Sequence, residues 1–217
     1  MVHAAYVELR ETVRRRRMVR RFDPDRPVAL EAVRDLVDLA VRAPSAGFSQ
    51  GWDYVALLGR EAAAAFWAAT SGDREPGPWL RGIRSAPALL LCLSNPTAYL
   101  DRYAEPDKGW TDRSLDRWPV PYWDTDVAMG AMIVLLGAVD AELGALFFGV
   151  PSEAHAAVKD AYAIPADRHI VGVIALGHPL PHPKSPSLRR GRRGVDDVLH
   201  VGHYGGPAGT TGTPDAT

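Results

Sequence analysis

The chain of 217 residues has one cysteine and almost no net charge, since 25 Lys and Arg residues face 26 Asp and Glu residues and leave −1. A single thiol excludes a disulfide framework and any metal site built from several thiolates. The balanced charge gives no general reason for binding nucleic acid or an acidic membrane. Cys92 itself lies in an apolar run, so we expect an inert core thiol.

Long hydrophobic segments and the common catalytic motifs are also missing. The longest apolar stretch, residues 127–139, is shorter than the roughly 20 residues that span a bilayer. The N-terminus has no hydrophobic signal region, so we expect a cytoplasmic protein. Neither a GxGxxG loop nor a P-loop is present. The histidines are scattered, and prolines separate His178 from His182, so we expect no metal site.

The basic residues are concentrated in two clusters. Six arginines lie within residues 14–21 and four within residues 189–193, so two short segments hold ten of the 25 basic residues. The first cluster could be a solvated helix end, where cations are modestly favoured, or a nucleic-acid patch, although acidic residues flank it. It could also be a phosphate site, where guanidinium groups give short charge-assisted hydrogen bonds. Composition alone favours the helix end.

Hydrophobic periodicity predicts a mixed architecture with a central sheet. Helices are expected over residues 4–17, 30–41, 61–69, 124–143 and 152–162, and strands over residues 54–58, 88–93, 145–150 and 170–176. The helix at 124–143 is apolar nearly all round, which favours burial in the core or in a subunit interface. Residues 95–122 are rich in proline and show no clear period, which predicts a long functional or mobile loop.

Two motifs resemble signatures of the FMN-dependent nitroreductase family. Residues 16–25, RRMVRRFDPD, are similar to its N-terminal signature RRSxRxF with a following proline turn, and residues 43–52, APSAGFSQGW, are similar to APSAGNxQPW. Four later segments keep the order of the family: a core helix at 126–138, part of a GLG turn at 143–145, a strand motif at 163–179, and a C-terminal segment at 190–200. Six pieces in one order, over roughly residues 10–204, are poorly explained by chance.

The resemblance implies an α+β fold in which helices flank a mainly antiparallel sheet. It also implies a homodimer with a long buried core helix and FMN at its interface. The sequence shows no domain boundary, which predicts one domain over residues 1–204, and the low complexity of residues 205–217 predicts a disordered tail. The implied reaction is ping-pong: NADH or NADPH gives a hydride to flavin N5, and a nitroaromatic, quinone or enone then takes it. Because the flavin carries this chemistry, no catalytic side chain is expected.

The resemblance also implies cofactor contacts near both chain ends. Arg16, Arg17 and Arg20 are expected at the phosphate, the ribityl chain or the flavin N1/O2 edge, and Arg190 and Arg192 at the phosphate. The other implied FMN contacts are Met18, Ser45, Ala46, Gly47, Ser49, Gln50, Phe147, Phe148 and Gly149. The implied substrate pocket contains Phe48, Trp110, Trp118 and Trp123.

Four positions depart from the family pattern, and they keep alternatives open. Met18 stands in place of Ser, Phe48 in place of Asn, Gly51 in place of Pro, and Glu142 in place of the first glycine of GLG. The first two remove potential hydrogen bonds to the cofactor. The alternatives within the family are a flavin-sequestering protein without turnover and a member acting on a halogenated or flavin substrate. The arginine clusters separately leave open a nucleic-acid-binding module.

Several implied contacts also have an ordinary structural interpretation. Phe147 and Phe148 fit a core strand, and Gln50 fits a polar turn. The tryptophans could simply pack the loop against the domain.

Overall fold

The computed structural model describes residues 8–71 and 76–208, which divide between His182 and Pro183 into two compact units. The described part of the first unit contains four strands, β1 (Trp52–Leu58), β2 (Ala88–Ser94), β3 (Gly144–Phe148) and β4 (His169–Gly177). Its helices are α1 (Leu9–Arg15), α2 (Leu30–Ala40), α3 (Gly59–Ser71), α4 (Pro78–Ile83), α5 (Pro96–Ala104), α6 (Tyr122–Asp140) and α7 (His155–Ala161). The second unit holds two short 3-10 helices, Pro186–Arg190 and Val195–Asp197.

The four strands form one antiparallel sheet in the order β1-β2-β4-β3. At one end of the sheet, Trp52 pairs with Ser94, which pairs with His169. At the other end, a row of paired residues crosses all four strands: Leu58, Ala88, Leu176 and Ala145.

The core lies on both faces of the sheet, and β2 shows why. Every residue of β2 is buried, as the unbroken apolar run predicts. Because strand side chains alternate, Leu89 and Leu91 join the hydrophobic cluster that includes Phe66 of α3 and Val158 of α7. Leu90 and Cys92 join the cluster of α2 and α6 on the opposite face.

Helix α6 is the long apolar helix that the sequence predicts, shifted to Tyr122–Asp140. Its length and composition would suffice to cross a membrane. In this fold it packs against α2 and the sheet, and Val127 and Val134 are fully buried. Helix α6 is therefore a core helix here, although Met129 and Met132 each remain 40% exposed.

Three local expectations differ from the structure. Residues 95–122 were predicted to form one long loop, and this was wrong for α5. The Asn95 side chain accepts a hydrogen bond from the amide of Ala98, and Pro96 is the first residue of the helix. Both features favour the start of a helix. The expected helix at 152–162 begins as a 3-10 turn before α7. The helix expected at 4–17 covers Leu9–Arg15, and residues 1–7 lie outside the described residues.

The single domain over residues 1–204 and the tail over 205–217 stay predictions. Gly206 donates a backbone hydrogen bond to the carbonyl of His203, whereas residues 209–217 lie outside the described residues. In the second unit, every residue from Pro186 to Gly205 is exposed.

We predict that the protein loses stability at alkaline pH because folding buries the Cys92 thiol. Burial raises its pKa to about 12 from an ordinary value of 9.0, so the folded state holds the proton more tightly than the unfolded chain. The contribution of Cys92 to the free energy of unfolding is therefore constant well below pH 9 and falls as the pH rises from 9 toward 12. Between pH 8 and 10 this contribution falls by about 1 kcal/mol. Urea unfolding at both pH values measures this loss. The control is Cys92→Ala, which should lose less stability; an identical loss in both proteins would contradict the prediction.

Candidate functional site

The segment Ser45–Gln50 forms a tight turn immediately before β1. Gly47, Phe48 and Gln50 have φ angles of +63°, +57° and +51°, all in the left-handed region. Glycine adopts this conformation freely, whereas each non-glycine residue there costs roughly 1–3 kcal/mol and such residues cluster at functional sites. Phe48 is also 74% exposed. The turn is thus held in a costly conformation that presents an aromatic side chain to solvent.

Hydrogen bonds from inside the protein hold this turn. The Asp126 Oδ2 atom accepts from the amide of Ala46 at 2.8 Å and from the Tyr99 hydroxyl at 2.7 Å. The Ser45 Oγ atom accepts from the amide of Gln50 at 2.8 Å. Hydrogen bonds within the turn and to Asp126 of the same chain therefore fix the backbone conformation of the turn.

Helix α5 supports the other side of the turn. The Nε atom of Arg102 donates to the carbonyl of Gly47 at 2.9 Å, and its two terminal nitrogens each lie 2.7 Å from a carboxylate oxygen of Asp107. This paired hydrogen bonding lowers the pKa of Asp107. A Cβ atom on Gly47 would lie 2.6 Å from the ring of Tyr103, so only glycine fits there.

The three tryptophans of the expected substrate pocket pack together beside α5. The Trp118 ring centroid lies 5.3 Å from that of Trp110 and 5.6 Å from that of Trp123. It also lies 4.7 Å from that of Tyr103, and Trp123 is only 6% exposed. Of this aromatic group, Tyr103 lies close to Gly47 of the turn, whereas Phe48 is exposed to solvent.

The arginine segment, residues 16–21, follows α1 and lies beside the start of β3. The amide of Val19 donates to the carbonyl of Ala145 at 2.9 Å, and Met18 bridges to Ala145. The Arg20 guanidinium donates to the carbonyl of Met18 at 3.0 Å. In contrast, the Nη1 atom of Arg16 is buried and has no hydrogen-bond partner among residues 8–71 and 76–208.

The structure does not bring these two segments together within one chain. The Ser45–Gln50 turn enters β1 at Trp52, whereas the arginine segment meets β3 at Ala145, at the opposite end and the opposite edge of the sheet. Six residues along the strands and three strand spacings separate these corners, which corresponds to about 25 Å.

The other expected contacts are distributed differently. Phe147 packs against Gly172 of β4, where a Cβ atom would lie 2.3 Å from its ring. Phe148 faces the opposite side of the sheet and stacks on Trp67, with ring centroids 6.0 Å apart. Gly149 follows β3 and is exposed. Arg190 and Arg192 are exposed in the second unit.

Sequence reasoning missed the residues that support the turn, namely Asp126, Tyr99 and Arg102. A signal existed for the first, because a carboxylate inside an otherwise apolar helix needs a polar partner. Its partners are 80 and 27 positions away, so the sequence alone could not name them.

Residues 13–178 match the model of the Nitroreductase family. A Methanothermobacter thermautotrophicus protein named "Putative NADH dehydrogenase/NAD(P)H nitroreductase" is 26% identical over 187 residues, which cover 84% of this chain and 83% of the relative. An Archaeoglobus fulgidus protein of the same name is 25% identical over 166 residues, covering 76% and 81%.

Solved structures share the fold at low sequence identity. The Nitroreductase Family Protein of Streptococcus pneumoniae TIGR4 has a TM-score of 0.69 at 17% identity and covers 89% of this chain and 99% of its own. A "putative nitroreductase in complex with fmn" from Desulfovibrio desulfuricans has a TM-score of 0.64 at 22% identity, covering 89% and 95%. The predicted α+β fold with its antiparallel sheet is confirmed. Since the family model covers well over half of the chain, this protein belongs to the Nitroreductase family.

Proposed function

We propose that the protein is an FMN-dependent oxidoreductase that uses NADH or NADPH to reduce an electrophilic small molecule of nitroaromatic, quinone or enone type, in a ping-pong reaction in the cytoplasm. The names of the two archaeal relatives support an oxidoreductase that uses a nicotinamide donor. The FMN in the Desulfovibrio structure supports the flavin. Bound FMN would supply the redox chemistry by carrying a hydride at its N5 atom.

The unpaired Nη1 atom of Arg16 carries the proposal. A buried donor without a partner costs about 1–3 kcal/mol, and native proteins seldom leave one unless a ligand or water completes it. A phosphate or flavin oxygen would provide the acceptor, and guanidinium groups suit phosphate geometry. Arg17 and Arg20 lie in the same segment, so they would also contact FMN, at the phosphate, the ribityl chain or the N1/O2 edge of the flavin.

The Ser45–Gln50 turn would hold the other part of the cofactor. The Gln50 side chain makes no hydrogen bond with the residues that the structure describes, so its amide is available to the flavin. The Ser49 hydroxyl donates to the carbonyl of Ala46 at 2.7 Å and could still accept. The family resemblance implies that Phe147, Phe148 and Gly149 contact one flavin face. Phe147 and Phe148 point to opposite faces of the sheet, so only one of these two rings would lie against the flavin.

A homodimer explains how two distant corners of the sheet can serve one cofactor. FMN held by the arginine segment of one protomer would meet the Ser45–Gln50 turn of a second copy. Leu9 and Val13 of α1 are 69% and 49% exposed, and α1 packs against α6, whose Met129 and Met132 are also exposed. This apolar surface would be covered in the dimer. Arg190 and Arg192 would complete the phosphate clamp from the exposed C-terminal segment.

Visible spectroscopy with light scattering tests the proposed function. We expect the purified protein to be a yellow dimer that NADH or NADPH bleaches under anaerobic conditions, with colour restored by a quinone. Yellow colour that neither donor bleaches would favour a sequestering protein. A colourless protein whose DNA affinity falls steeply with salt would favour the nucleic-acid module, and a monomer would contradict the shared site.

Phe48 is the expected contact for a planar acceptor. An aromatic contact contributes about 0.5–1.5 kcal/mol, so Phe48→Asn should lower kcat/KM for a nitroaromatic about two- to tenfold. Steady-state kinetics with the nitroaromatic and with ferricyanide, which offers no ring to stack, measures this effect. Phe48→Tyr keeps the ring and should behave like the wild type. Equal losses for both acceptors would show that Phe48 does not select planar substrates.

A further inference from the structure

Asp126 is the one fully buried carboxylate in the part of the chain that the structure describes, and it lies in the apolar helix α6. Its side chain is 1% exposed and forms no ion pair with the described residues. A buried charge is costly unless donors surround it. Its Oδ2 atom accepts from the Ala46 amide and the Tyr99 hydroxyl, and Thr125 lies 3.4 Å from Oδ1.

The donors that compensate this charge belong to the Ser45–Gln50 turn or adjoin it. Ala46 is the second residue of the turn, and the Tyr99 hydroxyl lies 3.4 Å from Ser45 Oγ, which in turn accepts from the amide of Gln50. Burial, together with the hydrogen bond to Asp126, raises the pKa of Tyr99, so its hydroxyl stays a donor. One carboxylate therefore reaches both ends of the turn.

We propose that Asp126 is a positioning residue for the flavin site, acting through Ala46 and Tyr99 to hold the Ser45–Gln50 turn in its left-handed conformation; this inference rests on the proposed function. Phe48 and Gln50 are strained in that conformation, so they keep it only while their neighbours enforce it. Without the carboxylate, the turn relaxes and Gln50 no longer presents its amide to FMN. The residue touches neither cofactor nor substrate.

Two measurements on the full-length protein test this role. Chymotrypsin cleavage after the exposed Phe48, followed by mass spectrometry without added FMN, reports the conformation of the turn. Fluorescence titration with FMN reports binding. Asp126→Ala should raise the cleavage rate and the Kd for FMN about tenfold or more, because both donors lose their acceptor. Asp126→Asn should stay within about threefold of the wild type, because its amide oxygen can still accept from both donors.

Two further variants keep the test decisive. Asp124→Ala is the matched control, since Asp124 lies on the same helix and bonds Ser94 rather than the turn; both readouts should stay at the wild-type level. Should Asp126→Ala fail to fold, Tyr99→Phe removes only the hydroxyl and should raise both readouts about threefold.

The outcomes separate this inference from the proposed function. If the wild type binds no FMN, the proposed function fails, and the cleavage assay alone decides whether Asp126 holds the turn. If the wild type binds FMN but Asp126→Ala leaves cleavage unchanged, the positioning role is wrong. Faster cleavage with an unchanged Kd would also overturn it, because the turn would then not serve the flavin.

Discussion

Coexpression of Arg16→Ala and Gly47→Val chains should restore tight flavin sites, which neither variant forms alone. Arg16→Ala removes the proposed phosphate contact. Gly47→Val forces a Cβ atom to within 2.6 Å of the Tyr103 ring at a φ of +63°, which disrupts the turn. In a heterodimer, the intact arginine segment of one chain meets the intact turn of the other. The other site of that heterodimer combines both defects, so purified heterodimers should bind about half as much flavin per protomer as the wild type.

The complementation is measured as flavin bound per protomer after tandem purification through two different tags. The matched control pairs Arg16→Ala with Arg20→Ala, because both defects lie in the same segment and every site in that heterodimer keeps one of them. That pair should retain clearly less flavin than the Arg16→Ala and Gly47→Val pair. Equal flavin content in the two mixtures would contradict a site shared between copies and would place both segments in one chain's site.

Elements whose signal is local could be predicted from the sequence. The apolar run of β2 and the apolar helix α6 occur close to their expected bounds because burial on both faces, or all round, leaves an unbroken hydrophobic pattern. Helix α5 was missed because Pro96 and the mixed charges around it suggest a loop. The same proline favours a helix when it occupies the first position behind an Asn cap.

The geometry of the candidate site depends on long-range register, which no local pattern contains. The motifs identify which residues belong to the family signatures, and they suggest that these residues gather around one phosphate. Pairing of Ala145 with Leu176, and of Trp52 with Ser94, instead separates the arginine segment from the turn within one chain. The role of Asp126 could not be predicted for the same reason. Its two donors lie in a turn and a helix that are distant in sequence and reach Asp126 only in the folded chain.

Arg16→Ala alone should weaken FMN binding while leaving the flavin-free protein at least as stable. Hydrogen bonds to charged groups contribute about 1.5–3 kcal/mol, so the Kd for FMN should rise about 10- to 150-fold. The flavin-free protein loses a buried nitrogen that has no partner, so its free energy of unfolding should stay equal or rise by about 1 kcal/mol. Opposite changes in binding and stability are typical of a group retained for a ligand.

Flavin titration and urea unfolding with and without FMN measure both effects. Arg15→Ala is the matched control, because Arg15 is the exposed neighbour, and its removal should change neither quantity. Arg16→Lys keeps the charge but loses the planar fork, so binding should recover only in part. A flavin-free Arg16→Ala protein that is clearly less stable than the wild type would identify Arg16 as a structural residue, and the phosphate site would then need a different arginine.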